Sequence, residues 1–201
     1  MRIYAICGLI GSGKDTLSGI LQENFEKRHI NVVKLSFAKT LKDAVSCVFG
    51  WDRKMLEGDT KESREWRETV DEWWSKRLNI PNLTPRFILQ NWGTDVLRGH
   101  FHPDIWIASL ESQIRFSGAE VVIITDCRFQ NEIECLKKYN TKFIWIQRGD
   151  LPKWVDMYLE YDVEPKNIHP SEYSWIKNSF DYIIHNDRDI NSLSLEVEKM
   201  I

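Results

Sequence analysis

The sequence lacks a long apolar run and a strong excess of either charge. Its longest apolar stretches, such as Val121 to Ile124, are far shorter than the ~20 residues that a transmembrane helix needs. The 27 basic and 30 acidic residues among 201 leave a net charge of −3, whereas a nucleic-acid-binding surface usually shows a basic surplus. No signal-peptide pattern follows Met1. We therefore expect a cytoplasmic protein that binds neither a membrane nor a nucleic acid.

Paired cysteine motifs are missing as well. The four cysteines, Cys7, Cys47, Cys127 and Cys135, have neither CxxC nor Cys/His ligand spacing, which argues against common zinc and dithiol redox motifs. Cys7 and Cys127 end apolar runs, where a buried, reduced thiol is the plainer interpretation. What the chain does have is 42% hydrophobic and 28% charged residues. These values are ordinary for a globular protein and exclude disorder over most of the length.

Five short runs rich in β-branched and aromatic residues predict β-strands. Each is apolar on both faces, as a strand inside a parallel sheet is. Between them lie apolar residues at helical spacing, for example Leu41, Ala44, Val45 and Val48. The alternation predicts one α/β domain over residues 1–201, with a five-stranded, mostly parallel sheet flanked by helices. The predicted strands are Ile3 to Cys7, Val32 to Ser36, Val121 to Thr125, Phe143 to Gln147 and Tyr182 to His185.

Two segments interrupt this alternation. Residues 52–80 are densely charged and contain several tryptophans, which predicts a charged, mostly helical insertion. A further helix is expected from Pro85 or Arg86 through Leu97, because proline suits the first helical position. Residues 150–170 contain three prolines and are a candidate lid or mobile connection.

The strongest motif is GLIGSGKDT, from Gly8 to Thr16. It follows the first predicted strand and opens the first predicted helix, which is the context that a phosphate-binding loop requires. Glycines let successive backbone N–H groups point at phosphate oxygens, and the helix N-terminus adds partial positive charge. Lys14 is expected to bridge the β- and γ-phosphates of ATP. The predicted ATP-binding residues of this motif are Gly11, Ser12, Gly13, Lys14, Asp15 and Thr16.

The residue after the lysine departs from the usual pattern. Serine or threonine usually follows the lysine and holds Mg²⁺ through its hydroxyl, but here Asp15 follows and Thr16 comes one position later. Both are candidate metal ligands, and Asp15 can equally be an acid that favours the helix dipole. Asp126, which follows the third predicted strand, is a third candidate ligand for Mg²⁺ or else a partner for Arg128.

Four further segments carry polar and charged residues near the predicted strand ends. FAKTLKDA follows the second strand and places Lys39 and Lys42 at the edge of the sheet where ligands of such folds bind. An R…Q…GTD…W block begins at Arg86, a D-x-R sequence follows the third strand, and H-x-S-E precedes the last strand, which leads into HND. Within H-x-S-E, His169 is interpreted as a structural cap or a member of a polar network.

In the content and order of these segments the chain resembles the deoxynucleoside monophosphate kinases of bacteriophages and large DNA viruses. This family belongs to the P-loop nucleoside monophosphate kinase superfamily. The resemblance covers essentially the whole chain and implies the P-loop kinase fold, with residues 52–80 on the acceptor side. It also implies Mg²⁺-dependent transfer of the ATP γ-phosphate to a deoxynucleoside 5′-monophosphate, for DNA precursor synthesis.

The resemblance assigns roles to particular residues. Lys14, Arg86 and Arg128 would be catalytic, and Arg148 would lie near the donor nucleotide. Phe87 stands where a second arginine can follow the first, so the number of arginines on the acceptor phosphate stays open. The predicted substrate-binding residues are Ala38, Lys39, Lys42, Arg86, Gly93, Thr94, Trp106 and Arg128.

Plainer interpretations stand beside these assignments. Arg86 could pair with an acid on a helix surface, and Trp106 could belong to the core. Part of the tryptophan excess is expected to serve a base-binding cleft, and a homodimer formed through exposed aromatic side chains stays open. Alternative functions are another small-molecule P-loop kinase, similar to phosphomevalonate or dephospho-coenzyme A kinase, and a non-catalytic ATP-binding module.

Overall fold

The computed structural model describes all residues 1–201 and contains one five-stranded sheet. The strand order is β2-β3-β1-β4-β5, and every neighbouring pair is parallel. Helices connect the strands, so the predicted α/β fold with a five-stranded parallel sheet is confirmed. The strands are β1 (Arg2–Cys7), β2 (Val32–Leu35), β3 (Val121–Ile124), β4 (Thr141–Gln147) and β5 (Tyr182–His185).

The chain divides into two compact units. The first consists of Met1–Ser36 and Leu110–Ile201 and holds the whole sheet, and the second consists of Phe37–Ser109. The predicted insertion, residues 52–80, lies within the second unit. No helix has the length and apolar character needed to cross a membrane. The α-helices are α1 (Lys14–Lys27), α2 (Lys39–Phe49), α3 (Lys61–Glu68), α4 (Glu72–Leu78), α5 (Pro85–Gln90), α6 (Ile105–Phe116), α7 (Gln130–Leu136), α8 (Lys153–Tyr161) and α9 (Ile190–Glu198).

The core of the first unit lies where α1 and α9 pack on the sheet. All four residues of β3 are buried, and so are the last five of β1. The edge strands differ from the prediction that every strand is buried on both faces. In β5, Ile183 is 56% exposed, because a strand at the edge of a sheet has less of its surface covered. The core residues shared by the strands and helices are Tyr4, Ile6, Leu17, Leu21, Phe25, Ile123, Ile144, Ile146, Ile184 and Leu193.

The core of the second unit is largely aromatic. The Phe49 ring stacks on Trp51, with 4.4 Å between ring centroids, and contacts Trp74 at 4.8 Å and Trp92 at 5.4 Å. The Trp51 ring N–H donates to Asp71 Oδ2 at 2.8 Å, and the Trp74 ring N–H donates to the Phe49 carbonyl at 3.1 Å. These rings therefore stabilise the unit through both their faces and their polar atoms.

Two helices of the second unit differ from the predictions, one in its buried face and one in its end. Val48, expected on the buried face of α2, is 55% exposed, and Phe49 is buried instead because it joins the aromatic core. The helix expected to reach Leu97 ends as an α-helix at Gln90 and continues as a π-helix, Asn91–Phe101. Eleven consecutive π-helical residues are unusual, since π-helices mostly occur as single-turn bulges near functional sites.

Candidate active site

The phosphate-binding loop connects β1 to α1 in the first unit. The Lys14 amine donates to the backbone carbonyls of Gly8, at 2.8 Å, and Leu9, at 2.9 Å. The Ser12 N–H donates to the Leu9 carbonyl at 3.2 Å. The loop therefore curls around its own lysine, which places the cation inside the loop.

Two of the loop's glycines are required by their surroundings. A Cβ at Gly8 would lie 2.5 Å from Ser12 Oγ and 2.6 Å from the Ile146 carbonyl oxygen, both too close for any side chain. Gly13 has φ of 101° and immediately precedes α1, and a Cβ there would collide with the Asn186 amide. Glycine alone tolerates both the left-handed backbone and the close approach.

The loop has an unpaired polar group and open space that a phosphate group would fill. The Ser12 hydroxyl is buried and has no hydrogen-bond partner, which is costly unless a ligand supplies one. Gly11 has φ of 78°, and no atom lies within 4 Å of the point that a Cβ would occupy there, so the backbone is open to an approaching anion. The inward-pointing amine of Lys14, the unpaired Ser12 hydroxyl and the N-terminus of α1 together fit the phosphates of a nucleoside triphosphate.

The loop is supported from the far end of the chain. The Asn186 side-chain amide donates to the Ser12 carbonyl at 3.0 Å, and the Asn186 N–H donates to the Gln147 carbonyl at 2.7 Å. The next residue, Asp187, accepts from the Gly149 N–H at 2.5 Å. The HND segment stands out in the sequence, but the sequence alone did not indicate this role for Asn186. The signal that could have indicated it is the position of Asn186, a polar residue directly after the last strand of the parallel sheet.

Arg128 lies in the loop between β3 and α7. The buried Glu132 side chain fixes this loop by accepting from the Arg128 N–H at 2.8 Å and the Phe129 N–H at 3.1 Å. The Arg128 guanidinium pairs with Glu172 at 3.1 Å from Nη1 to Oε1. Glu172 ends a short 3₁₀ helix (Pro170–Glu172) that His169 Nδ1 caps by accepting from the Ser171 N–H, in line with the structural interpretation of that histidine.

Lys14, Arg128 and Glu172 form one electrostatic cluster. Burial of the amine lowers the pKa of Lys14 below its usual range, and the positive charge of Arg128 lowers it further. Glu172 and Asp15 oppose this shift. An additional anion near Lys14 and Arg128 would relieve their repulsion, so the cluster favours binding of a phosphate group.

The candidate metal ligands lie at the same end of the sheet. Asp15 and Thr16 belong to the first turn of α1, and Asp126 follows β3. No group of three or more His, Cys, Asp or Glu side chains able to hold a metal ion is present. Mg²⁺ in nucleotide enzymes typically takes one or two protein ligands, with phosphate oxygens and waters completing its shell. The residues present fit that kind of site. Arg148 is exposed just after β4.

The predicted acceptor residues lie in the second unit, apart from Arg128. Ala38 immediately precedes α2, and Lys39, the first residue of α2, is exposed. Lys42 pairs with Glu57 at 2.5 Å from Nζ to Oε2. Arg86, in the first turn of α5, is 45% exposed and approaches Glu68 at 3.9 Å from Nε to Oε1. This weak surface pair leaves most donors of Arg86 without a close acidic partner.

Gly93, Thr94 and Trp106 are linked through the π-helix. Trp106 is 6% exposed, and its ring N–H donates to the Gly93 carbonyl at 2.8 Å. Gly93 also packs closely, since a Cβ there would lie 2.9 Å from Leu41 Cδ2. Thr94 is exposed in the next position. Trp106 thus has the burial of a core residue, as its plainer interpretation expects, and positions the backbone that carries Thr94.

Comparisons with known proteins identify the family of the chain. A family model described as deoxynucleotide monophosphate kinase matches residues 54–197. The deoxynucleoside-5′-monophosphate kinase of Escherichia phage T5 is 27% identical over an alignment of 239 positions, which covers 97% of this chain and 94% of the phage protein. A protein of Acanthamoeba polyphaga mimivirus, provisionally named a deoxynucleotide monophosphate kinase, is 26% identical over 212 residues, covering 98% and 94%.

Among solved structures, dephospho-CoA kinase from Campylobacter jejuni aligns with 99% of this chain and 95% of its own, with a TM-score of 0.47 and 17% identity. A similarity of that degree carries no conclusion about function. The family model, by contrast, spans well over half of the chain. The chain therefore belongs to the deoxynucleotide monophosphate kinase family, whose members are phosphotransferases.

Proposed function

We propose that the protein transfers the γ-phosphate of ATP to the 5′-phosphate of a deoxynucleoside monophosphate, giving ADP and the deoxynucleoside diphosphate for DNA precursor synthesis. The observation that carries the proposal is the loop in which Lys14 turns inward beside the orphaned Ser12 hydroxyl, in a chain of this family. The transfer joins an acceptor phosphate oxygen to the γ-phosphorus and breaks the bond between that phosphorus and the β–γ bridging oxygen.

On the donor side, backbone N–H groups of residues 11–16 hold the ATP phosphates. Lys14 leaves the carbonyls of Gly8 and Leu9 for the β- and γ-phosphates, and the Ser12 hydroxyl gains its missing partner. Arg148, exposed after β4, lies along the donor nucleotide. Mg²⁺, when bound, neutralises phosphate charge, and the Thr16 hydroxyl with Asp15 or Asp126 would hold it.

On the acceptor side, Arg86 binds the 5′-phosphate, and Ala38 and Lys39 lie along it. Gly93 and Thr94 of the π-helix contact the sugar or the base, with Trp106 holding Gly93 in place. The acceptor phosphate is already an anionic nucleophile, so no dedicated base is needed. The protein's contribution is orientation and charge neutralisation.

Arg128 neutralises the equatorial oxygens of the phosphoryl group during transfer. A positioned arginine of this kind accelerates phosphoryl transfer by roughly 10³-fold or more. We place the candidate lid at residues 150–170, which contain α8 and lead to the 3₁₀ helix bearing Glu172. Closure of this segment would exclude water, which otherwise competes with the acceptor.

A coupled ADP-release assay tests the proposal. The acceptors are the four deoxynucleoside monophosphates, their ribose counterparts, dephospho-coenzyme A and phosphomevalonate, each with ATP and Mg²⁺. We expect ADP release that depends on a deoxynucleoside monophosphate. Release that needs no acceptor, or that needs one of the last two acceptors, would contradict the proposed function.

The variant Lys14→Ala provides the matching test of the loop. Loss of a positioned charge at the reacting phosphates lowers turnover by about 100-fold or more, and we expect this loss with an unchanged circular dichroism spectrum. Lys27→Ala, which removes an exposed lysine from the last turn of the same helix, serves as the control and should keep full activity. Near-normal turnover of Lys14→Ala would refute the loop's assignment.

A further inference from the structure

A cavity in the second unit is lined by three arginines. Its volume is about 480 Å³, and it lies beside α3 and the start of α5. No aliphatic or aromatic residue lines it, and its charged lining consists of three arginines and two glutamates. The lining residues are Arg64, Glu65, Arg67, Glu68, Thr69 and Arg86.

Backbone carbonyls of the turn before α3 orient two of these arginines. Arg64 Nη1 donates to the Asp59 carbonyl at 2.9 Å, and Arg67 Nη1 donates to the Glu57 carbonyl at 3.5 Å. The Arg67 guanidinium also occupies the space that a side chain at Gly58 would need. Because the two arginines are three residues apart on α3, they lie on the same helix face.

The positive charge of this cluster is not fully matched by the protein. Arg67 Nε is buried and has no hydrogen-bond partner, and Arg86 approaches Glu68 no closer than 3.9 Å. Burial lowers the pKa of Arg67, and the charges of Arg86 and Arg64 lower it further, although Glu68 and Glu57 oppose the shift. An anion bound among the three guanidinium groups would supply the missing partner and the missing charge.

We infer that Arg64 and Arg67 join Arg86 in binding the 5′-phosphate of the acceptor in this cavity. The inference rests on the proposed function and extends it, since it names two residues that the sequence motifs do not indicate. A phosphate monoester suits the site because guanidinium forks bind its oxygens in pairs. Arg67 thereby supplies the second arginine that Phe87 does not provide.

A two-way comparison of ligand and protein isolates the phosphate contact. Calorimetry without ATP measures the affinities of a deoxynucleoside monophosphate and of the same deoxynucleoside without its phosphate, for the wild type and for Arg67→Ala. We expect the monophosphate to bind about 10- to 100-fold more weakly to the variant, as loss of a hydrogen bond between charged groups predicts, and the deoxynucleoside to bind equally to both. Equal losses for both ligands, or no loss, would overturn the inference.

Steady-state kinetics provide a second test of the inference. Arg67→Ala and Arg64→Ala should raise the KM for the monophosphate and leave the KM for ATP unchanged. Arg77→Ala, an exposed arginine of α4 outside the cavity wall, is the matched control and should change neither. If the wild type phosphorylates deoxynucleoside monophosphates and Arg67→Ala keeps the acceptor KM, the inference fails while the proposed function stands.

A glycine substitution moves Arg67 without removing its charge. In Gly58→Ala the new methyl group collides with the guanidinium, so we expect a raised acceptor KM. Gly50→Ala is the control, because Gly50 has φ of 67°, close to the 70° of Gly58, with nothing within 4 Å of an added Cβ. Equal acceptor KM values in the two variants would overturn the inference.

If the wild type shows no acceptor-dependent activity, calorimetry with inorganic phosphate still tests the cavity. Loss of phosphate binding in Arg67→Ala supports an anion site, and unchanged binding refutes it.

Discussion

Substitution of Trp106 by phenylalanine separates a positioning role from a direct substrate contact. The change keeps an aromatic ring but removes the N–H that donates to the Gly93 carbonyl at 2.8 Å. Loss of this hydrogen bond beside a 6%-exposed ring costs about 0.5 to 1.5 kcal/mol. The smaller ring loses roughly a further 1 kcal/mol of buried apolar contact.

We therefore expect the free energy of unfolding to fall by about 1.5 to 2.5 kcal/mol, which lowers Tm by roughly 3 to 10 °C in a chain of this length. Circular dichroism during heating measures this shift. Because Gly93 and Thr94 lie on the π-helix that the bond restrains, the KM for the acceptor should rise and the KM for ATP should not. An unchanged Tm with a raised acceptor KM would refute the positioning role and indicate instead that Trp106 contacts the acceptor directly.

Trp73→Phe is the matched control for Trp106→Phe. Trp73 is 63% exposed, and its ring meets Trp74 edge-on with 4.6 Å between centroids. Exposed substitutions of this kind usually change stability by less than about 0.5 kcal/mol. A large loss of Tm in Trp73→Phe would show that tryptophan shortening in general, and not the Gly93 bond, destabilises the second unit.

Further predictions concern the electrostatics and support of the phosphate-binding loop. ATP affinity should fall at alkaline pH as Lys14 loses its proton. Arg128→Gln removes a positive charge that lowers the pKa of Lys14, so it moves this fall to higher pH. Glu172→Gln removes a negative charge that raises that pKa, so it moves the fall to lower pH. ATP titrations across pH measure these shifts, and a result that moves both variants in one direction would contradict the cluster. Asn186→Ala removes the hydrogen bond to the Ser12 carbonyl and should raise the KM for ATP about 2- to 12-fold without changing the KM for the acceptor. Equal changes in both KM values would instead indicate a global effect on the fold.

The fold could be predicted because the strands are marked by their own side chains. β3 is four consecutive buried residues, and a strand is the local structure that best suits so short an apolar run between helical patterns. β4 begins at Thr141, two residues earlier than the apolar run at Phe143, because Thr141 and Lys142 pair with Ile3 and Tyr4 of β1. Register with a neighbouring strand sets that boundary, and register is not visible in the segment itself.

Prediction of the site was best where its residues are close in sequence. The loop from Gly8 to Lys14 contains both its turn residues and its cation. Its support comes from Asn186, 174 residues after Ser12, and the partner of Arg128 is Glu172, 44 residues away. Such pairs leave no spacing signal, and only the parallel sheet brings them to one edge. The π-helix could not be predicted for the same reason, since the Trp106 ring that binds Gly93 lies 13 residues further on.

The tryptophan excess has a structural explanation that composition alone did not favour. The helices of the second unit other than α2 and the π-helix are short: α3, α4 and α5 have eight, seven and six residues, too few to bury a large aliphatic face. Large rings supply the missing area per residue, and each buried N–H needs an internal acceptor. Trp51, Trp74 and Trp106 meet that requirement within the unit, on Asp71, Phe49 and Gly93. Their N–H groups are thereby committed to the fold. Hydrogen-bond discrimination among acceptor bases therefore has to come from other side chains, and we expect it from Thr94, which is exposed and directly follows Gly93 in the π-helix.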